Sequence, residues 1–205
     1  MKVWLIRHPK PAVPEGTCYG RTDVGTDDAH FAQVVERLRT LHGSADGPTP
    51  LQVYTSPLSR CARVAQALAG APWPEPVVDP LLAEMHFGHW EGQPWSAIPR
   101  AEIDAWRENI RHWRPPGGET VDELAARGWR FLQSITPAAN AGLTGAPEAA
   151  RPAVAVLSHA GVIQTLIKQV RGEPLHRFGG MKLDFGSVTL LEHEGGQWRV
   201  VRENG

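Results

Sequence analysis

The chain has 205 residues, 41% of them hydrophobic, and a formal net charge of −1, which suits a single domain with a sizeable core. Near-neutrality argues against a dedicated nucleic-acid binder, which would be clearly basic, although local clusters can still build an anion site. No apolar run approaches the roughly 20 residues of a membrane span; Met1 to Ile6 is too short for a signal peptide, and Cys18 and Cys61 lack metal or disulfide spacing, so a soluble, cytoplasmic chain with free thiols and no membrane partner is expected.

Val3 to Ile6 is a short apolar run that stops in charge, as a buried strand does. Residues 9–26 hold Pro9, Pro11, Pro14, Gly16, Gly20 and Gly25 and read as loop. Phe31, Val34, Val35, Leu38 and Leu41 share one helical face. Gly43 to Pro50 breaks the chain, and Leu51 to Thr55 is a second strand. Ser56-Pro57 reads as a helix start, with Ser56 as N-cap and Pro57 at the first helical position; Leu58, Cys61, Ala62, Ala65, Leu68 and Ala69 form its buried stripe. Residues 72–118, rich in Pro and Trp, are expected to form a cap-like insertion in one domain spanning 1–205. Helical spacing resumes at Val121, Leu124, Ala125, Gly128, Phe131, Leu132 and Ile135, followed by a surface loop over 137–152. Ala153 to Leu157 is the third clear strand and feeds the helix of Val162, Ile163, Leu166, Ile167 and Val170. Ser187–Leu191 and Trp198–Val201 read as a closing strand pair joined at Gly195-Gly196. Strands alternating with helices imply an α/β fold, a three-layer α/β/α sandwich with a mainly parallel central sheet and a small helical cap.

The residues just beyond each of the three strands are informative. The first strand ends in Arg7-His8, the second in Ser56-Pro57-Leu58-Ser59-Arg60, the third in Ser158-His159-Ala160-Gly161. Ligands in open α/β sheets bind outside the carboxyl ends of the strands, so two arginines and two histidines are expected in one crevice. Arg60 falls in the first turn of its helix, where the macrodipole disfavours a cation; an anion held by the guanidinium and nearby N–H groups would explain it.

Together with Glu84-Met85-His86-Phe87-Gly88-His89-Trp90-Glu91-Gly92, these motifs resemble, in order and across almost the whole chain, the histidine phosphatase (phosphoglycerate-mutase-like) superfamily. The compact length and Cys18-Tyr19-Gly20-Arg21 are most similar to its alpha-ribazole phosphatase branch of cobalamin biosynthesis. The resemblance implies that His8 is the nucleophile, that Arg7 and Arg60 grip the phosphate, and that His159 bonds the phosphoryl oxygens. It also places a proton donor at Glu84 and a phosphate-contacting loop at Gly20. Tyr19 and Arg21 are candidates for substrate choice. The chain departs from the family where Pro9, Lys10, Pro11 and Pro14 replace the usual residues after Arg-His. A side-chain donor to phosphate is thereby lost at Pro14, with Lys10, Arg21 or Tyr19 as candidate replacements. This counts most against a phosphoglycerate mutase, which must hold a phosphorylated enzyme for a second substrate.

The residue types fit metal-independent phosphomonoester hydrolysis, with no cofactor and a small phosphorylated substrate as partner. Phosphoryl transfer needs an in-line nucleophile, positive charge at the equatorial oxygens and a proton for the leaving oxygen. A neutral imidazole can attack, like charge from two arginines favours that form, and guanidinium matches phosphate bidentately. Alternatives remain open: a broad-specificity or sugar-phosphate phosphatase, a non-catalytic phospho-ligand binder, or a metal held by His86, His89 and His112. Glu119 either lines the pocket or serves the following helix N-terminus. A homodimer is open.

Overall fold

The computed structural model describes residues 1–41, 50–140 and 153–205. In chain order the strands are β1 (Lys2–Arg7), β2 (Thr17–Cys18), β3 (Pro50–Thr55), β4 (Pro76–Val78), β5 (Gln93–Pro94), β6 (Ala153–Ser158), β7 (Val188–Glu194) and β8 (Gln197–Arg202). The α-helices are α1 (Asp28–Leu41), α2 (Ser59–Leu68), α3 (Arg100–Glu108), α4 (Val121–Asn140) and α5 (Ala160–Arg171). Six strands form one sheet in the order β4-β3-β6-β1-β7-β8. The first four run parallel, while β7 and β8 are antiparallel.

Side chains alternate across a strand, and β1 shows it. Val3 and Leu5 face a core shared with Leu124 and Phe131 of α4 and Val162 and Leu166 of α5. Trp4 and Ile6 face the opposite core, with Val34 and Leu38 of α1 and Val64 and Leu68 of α2. The result is the three-layer sandwich with a mainly parallel sheet. Strand β6 lies between β1 and β3 with Arg7 opposite Ser158 and Thr55 opposite Leu157. That register brings the three strand ends level, so the residues just beyond them are neighbours. The β7–β8 hairpin turns at Gly195 and Gly196, both at positive φ, which a two-residue turn of this kind requires.

Several elements differ from expectation. Helix α2 begins at Ser59, and Leu58 holds the cap position without a side-chain bond. Ser56 is thus no N-cap; its hydroxyl is used elsewhere. Residues 9–26 are not all loop, since Thr17–Cys18 pairs with Gln93–Pro94. Helix α4 runs through Pro137 to Asn140. The carbonyl that a proline N–H would have met belongs to exposed Gln133, where water can satisfy it. The rest of the expected 137–152 loop, and residues 42–49, lie outside the described residues.

The stretch 72–118 divides. Trp73 is buried against Trp4, and Pro76–Val78 is an edge strand of the main sheet. A separate small core gathers Cys18, Trp90 and Ile98 with Phe87, Trp95, Ile103, Trp106 and Trp113. Trp90 stacks on Trp113 and Trp95 on Trp106, with centroids 5.4 and 6.2 Å apart. The Trp90 indole N–H donates to Glu102 at 2.7 Å, which anchors α3 to this aromatic layer.

Candidate active site

The residues after β1, β3 and β6 converge. His8 donates its backbone N–H to the Ser158 carbonyl (3.1 Å) and Ser56 donates to Leu157 (2.9 Å), so three strand ends are stitched together where the strands stop. The rings of His8 and His159 lie 5.0 Å apart. Both histidines, Ser56 and Arg60 are almost wholly buried.

Hydrogen bonds fix the protonation pattern. His8 Nδ1 lies 2.7 Å from the Pro9 carbonyl. A carbonyl only accepts, so Nδ1 carries the proton and Nε2 keeps its lone pair. Arg60 Nε donates to His159 Nδ1 at 3.2 Å; a guanidinium only donates, so the His159 proton sits on Nε2, 2.8 Å from the Ser56 hydroxyl. The two rings are opposite tautomers. Burial, then Arg60 and Arg7, push the His8 pKa well below the usual imidazole value, against an upward pull from Pro9. Burial, Arg60 and His8 do the same to His159. Both rings are neutral near pH 7.

Arg60 donates further to the Gly20 carbonyl (2.6 Å) and the Thr22 carbonyl (3.0 Å). Arg7 donates to the Leu183 carbonyl and stacks on Phe185, its guanidinium carbon 3.8 Å from the ring centre. Burial lowers the Arg7 pKa, with Tyr19 and Glu84 acting the other way. Tyr19 lies against both arginines: burial raises its pKa while the Arg7 guanidinium draws it down, and its ring centre is 5.1 Å from the Arg60 guanidinium carbon. The same ring lies 6.4 Å from that of His8.

Glu84, in the segment between β4 and β5, meets the first turn of α5. Its carboxylate accepts from the Met85 N–H (2.9 Å) and from the Gly161 N–H (3.2 Å), and the helix N-terminus favours negative charge there. A Cβ at Gly161 would meet Glu84 Oε1, the tip of a flexible side chain, so glycine here leaves the carboxylate in place. Beside Glu84 opens a cavity of ≈ 260 Å³, whose lining includes Arg7, Tyr19, Gly20 and Glu84 together with the aromatic Phe87, Trp95, Trp106 and Phe178. His8, Arg60 and His159 are not in its wall. Tyr19 faces the cavity and the histidine pair alike.

Arg21 is not among the residues that line the cavity. Its guanidinium donates to Glu119 (3.3 Å to each oxygen) and to the Glu84 carbonyl (3.2 Å). Glu119 is the hub of an ion cluster with Arg21 and Arg127, beyond either role expected for it. Lys10 is exposed, and its backbone N–H donates to His30. Of the three candidates to replace the lost donor at Pro14, Tyr19 alone is at the cavity. His112 meets Asp122 at 3.2 Å, and among the described residues no three His, Cys, Asp or Glu side chains are grouped to hold a metal ion. No helix among them is long and apolar enough to cross a membrane.

A sequence profile described as the histidine phosphatase superfamily (branch 1) matches residues 3–205. The chain belongs to this superfamily. Histidine phosphatase relatives include the Escherichia coli K12 adenosylcobalamin/alpha-ribazole phosphatase, 26% identical over 204 residues and covering 94% of this chain and 90% of that protein. A probable phosphoglycerate mutase GpmB of Erwinia tasmaniensis is 27% identical over 208 residues, covering 97% and 87%. Among solved structures, a mycobacterial glucosyl-3-phosphoglycerate phosphatase superposes with TM-score 0.82 at 26% identity, covering 99% and 98% of the two chains. The alpha-ribazole phosphatase of Shigella flexneri, at 22% identity and TM-score 0.83 over 100% and 96%, shares the fold. The chain is thus an enzyme of the histidine phosphatase superfamily.

Sequence reasoning missed three residues of this histidine phosphatase site. Arg127 is buried and donates to the Leu81 (2.6 Å) and Glu84 (2.9 Å) carbonyls as well as to Glu119. Its position was a signal, because residue 127 lies on the same helical stripe as Leu124, Gly128 and Phe131. Ser56 partners His159, for which no local pattern exists. Glu91 is the third.

Proposed function

We propose that this protein is a metal-independent phosphomonoester hydrolase that works through a phosphohistidine on His8, with a flat, uncharged leaving group in the aromatic cavity. The observation that carries the reading is the tautomer of His8: Nδ1 is tied to the Pro9 carbonyl, which leaves Nε2 as a neutral nucleophile within the field of Arg60 and Arg7. In the first step Nε2 attacks phosphorus while the bond to the leaving oxygen breaks, and Arg7 and Arg60 hold the charge on the equatorial oxygens. His159, with its proton on Nε2, turns that donor from Ser56 to a phosphoryl oxygen. Glu84 serves as the acid and gives a proton to the leaving oxygen. In the second step the same carboxylate takes a proton from water as water attacks phosphorus, releasing inorganic phosphate and restoring His8.

The cavity supports the choice of leaving group. Its lining pairs Phe87, Trp95, Trp106 and Phe178 with a single cation, Arg7, and Arg21 is occupied by Glu119. Among the described residues, the cavity wall offers a phosphoglycerate or bisphosphate no second cation for its extra negative group. An aromatic base stacked on such walls gains roughly 0.5–1.5 kcal/mol beyond its burial. Alpha-ribazole 5′-phosphate, in cobalamin biosynthesis, has this shape, and two of the similar proteins bear that activity in their names.

A phosphatase screen of alpha-ribazole phosphate, nucleotides, bisphosphoglycerate and sugar phosphates tests both levels. Preference for alpha-ribazole phosphate is expected; a flat profile would reduce the assignment to a broad-specificity phosphatase. His8→Ala should lower turnover of p-nitrophenyl phosphate by roughly 10⁴-fold or more, as loss of a covalent nucleophile does. Phosphate-ester binding without turnover in the unaltered protein would instead make it a ligand sensor.

A further inference from the structure

Arg60 is fully buried, and among the described residues no carboxylate pairs with it directly. A buried cation without counter-charge is costly. Its guanidinium has five N–H groups, of which three go to His159, Gly20 and Thr22. All three partners are neutral.

The missing charge is one peptide away. The Gly20–Arg21 peptide offers its carbonyl to Arg60 on one side (2.6 Å) and its N–H to Glu91 Oε1 on the other (3.0 Å). Glu91 Oε2 takes the Thr22 N–H and hydroxyl, both at 2.6 Å, and Oε1 takes the Phe87 N–H at 2.8 Å. The carboxylate therefore spends its capacity on four neutral donors, three of them in residues 21 and 22. A hydrogen bond from a peptide N–H to a carboxylate polarises that peptide and strengthens its carbonyl as an acceptor. Gly20 permits the close approach: at φ +38°, any Cβ there would collide with Glu91 Oε1.

We propose that Glu91 is a positioning residue for Arg60. Through a single peptide it delivers the counter-charge that keeps the guanidinium buried and aimed. Direct pairing with a carboxylate would have satisfied Arg60 equally well but would have filled the face that phosphate must occupy. Delivery through the peptide leaves two N–H groups of Arg60 for the substrate. The same carboxylate fixes Phe87 of the cavity wall, so the phosphate seat and the leaving-group seat share one anchor.

This inference rests on the reading of Arg60 as a phosphate holder, and a double-mutant cycle separates the two. The readouts are inhibition of p-nitrophenyl phosphate turnover by inorganic phosphate, and kcat and KM. Arg60→Lys alone should weaken phosphate inhibition about ten-fold or more; no change would overturn the phosphate-holder reading itself. Glu91→Gln, which keeps the shape and removes the charge, should weaken phosphate inhibition by about ten-fold and lower kcat/KM by a similar factor. In the Arg60→Lys background the same substitution should cost about two-fold or less, since coupled residues are non-additive. Equal losses in both backgrounds would overturn the proposal, because a merely structural glutamate acts regardless of residue 60. Glu91→Asp keeps the charge and is expected to retain phosphate inhibition within about three-fold; an aspartate variant that folds yet binds phosphate as weakly as Arg60→Lys would also overturn it.

Discussion

The two ends of the site are built on different terms. At the phosphate end, each side chain is held by hydrogen bonds to backbone or to another site residue: His8 by Pro9, Arg7 by Leu183, Arg60 by Gly20 and Thr22, Glu84 by Met85 and Gly161. These groups stand at the level ends of parallel strands or at a helix N-terminus, where the frame is rigid. At the leaving-group end, Phe87, Trp95 and Trp106 rest on one another through ring contacts, and the elements that carry them are 3₁₀ turns, a two-residue strand pair and one short helix. Directional bonds fix atoms for chemistry. Stacked rings offer a shaped, adaptable surface, which suits recognition and tolerates exchange of one substrate for another. Substitutions at the first end should therefore act on the rate whatever the leaving group, and those at the second should sort substrates.

The largest effect expected outside His8 itself comes from Gly161→Ala. A methyl group there displaces Glu84 Oε1, the mobile end of a side chain, so the fold can yield while the proton donor is moved. We expect kcat to fall by roughly 10²-fold, within the usual range for losing a general acid, with the melting temperature changed by about 2 °C or less. The loss should be greater for an alkyl phosphate than for p-nitrophenyl phosphate, whose leaving group needs less protonation. An equal loss for both esters would place Glu84 outside the acid role.

That glycine shows how far sequence alone reaches. Strand ends were legible because a short apolar run that stops at Arg7-His8, Ser56 or Ser158-His159 has few structural options, and the β-then-helix order puts those ends on one edge. The apolar run of β1 and the stripes of α1, α2 and α5 were legible for the same reason: such patterns are local. The supports were not. The bonds of Glu91 to Arg21, Arg127 to Glu84 and Ser56 to His159 join residues 43 to 103 positions apart, and nothing in the local pattern marks such partners. The partners of Arg21 were hidden because its neighbours Tyr19 and Gly20 line the cavity while its own side chain turns to Glu119. Cap boundaries were blurred because 3₁₀ turns and two-residue strands are too short to show a period.

Phe178→Ala, of smaller expected effect, probes the aromatic end. Phe178 lines the cavity and is only partly buried, so its loss should spare the fold. KM for a phosphate ester of a flat aromatic alcohol should rise about five-fold, the size of one stacking contact, with kcat unchanged. KM for glycerol phosphate should not move. Were both esters affected alike, the aromatic cavity would not be the leaving-group seat.

The smallest effect expected is an absence of titration, and it probes the phosphate end at its root. An ordinary histidine takes up its proton near pH 6.5. His8 and His159 are depressed, chiefly by burial and then by Arg60. Nitrogen-resolved NMR should accordingly show both rings still neutral at about pH 6, with the proton on Nδ1 of His8 and on Nε2 of His159. A lowered pKa keeps Nε2 of His8 nucleophilic, so the acid limb of kcat/KM, once the ionisation of the substrate phosphate is divided out, falls below about pH 6.5. Stability moves in the same direction. Between the folded and unfolded pKa values the unfolded chain binds more protons, so the contribution of these two rings is complete above about pH 6.5 and declines as the pH falls below it. Removing the positive charge with Arg60→Gln should shift both rings and the acid limb upward. Two rings that protonate near pH 6.5 would mean that neither burial nor the guanidinium holds the pair neutral, and two rings with the same tautomer would undo the bonds to Pro9 and Arg60 that set the phosphate end apart from the aromatic cavity.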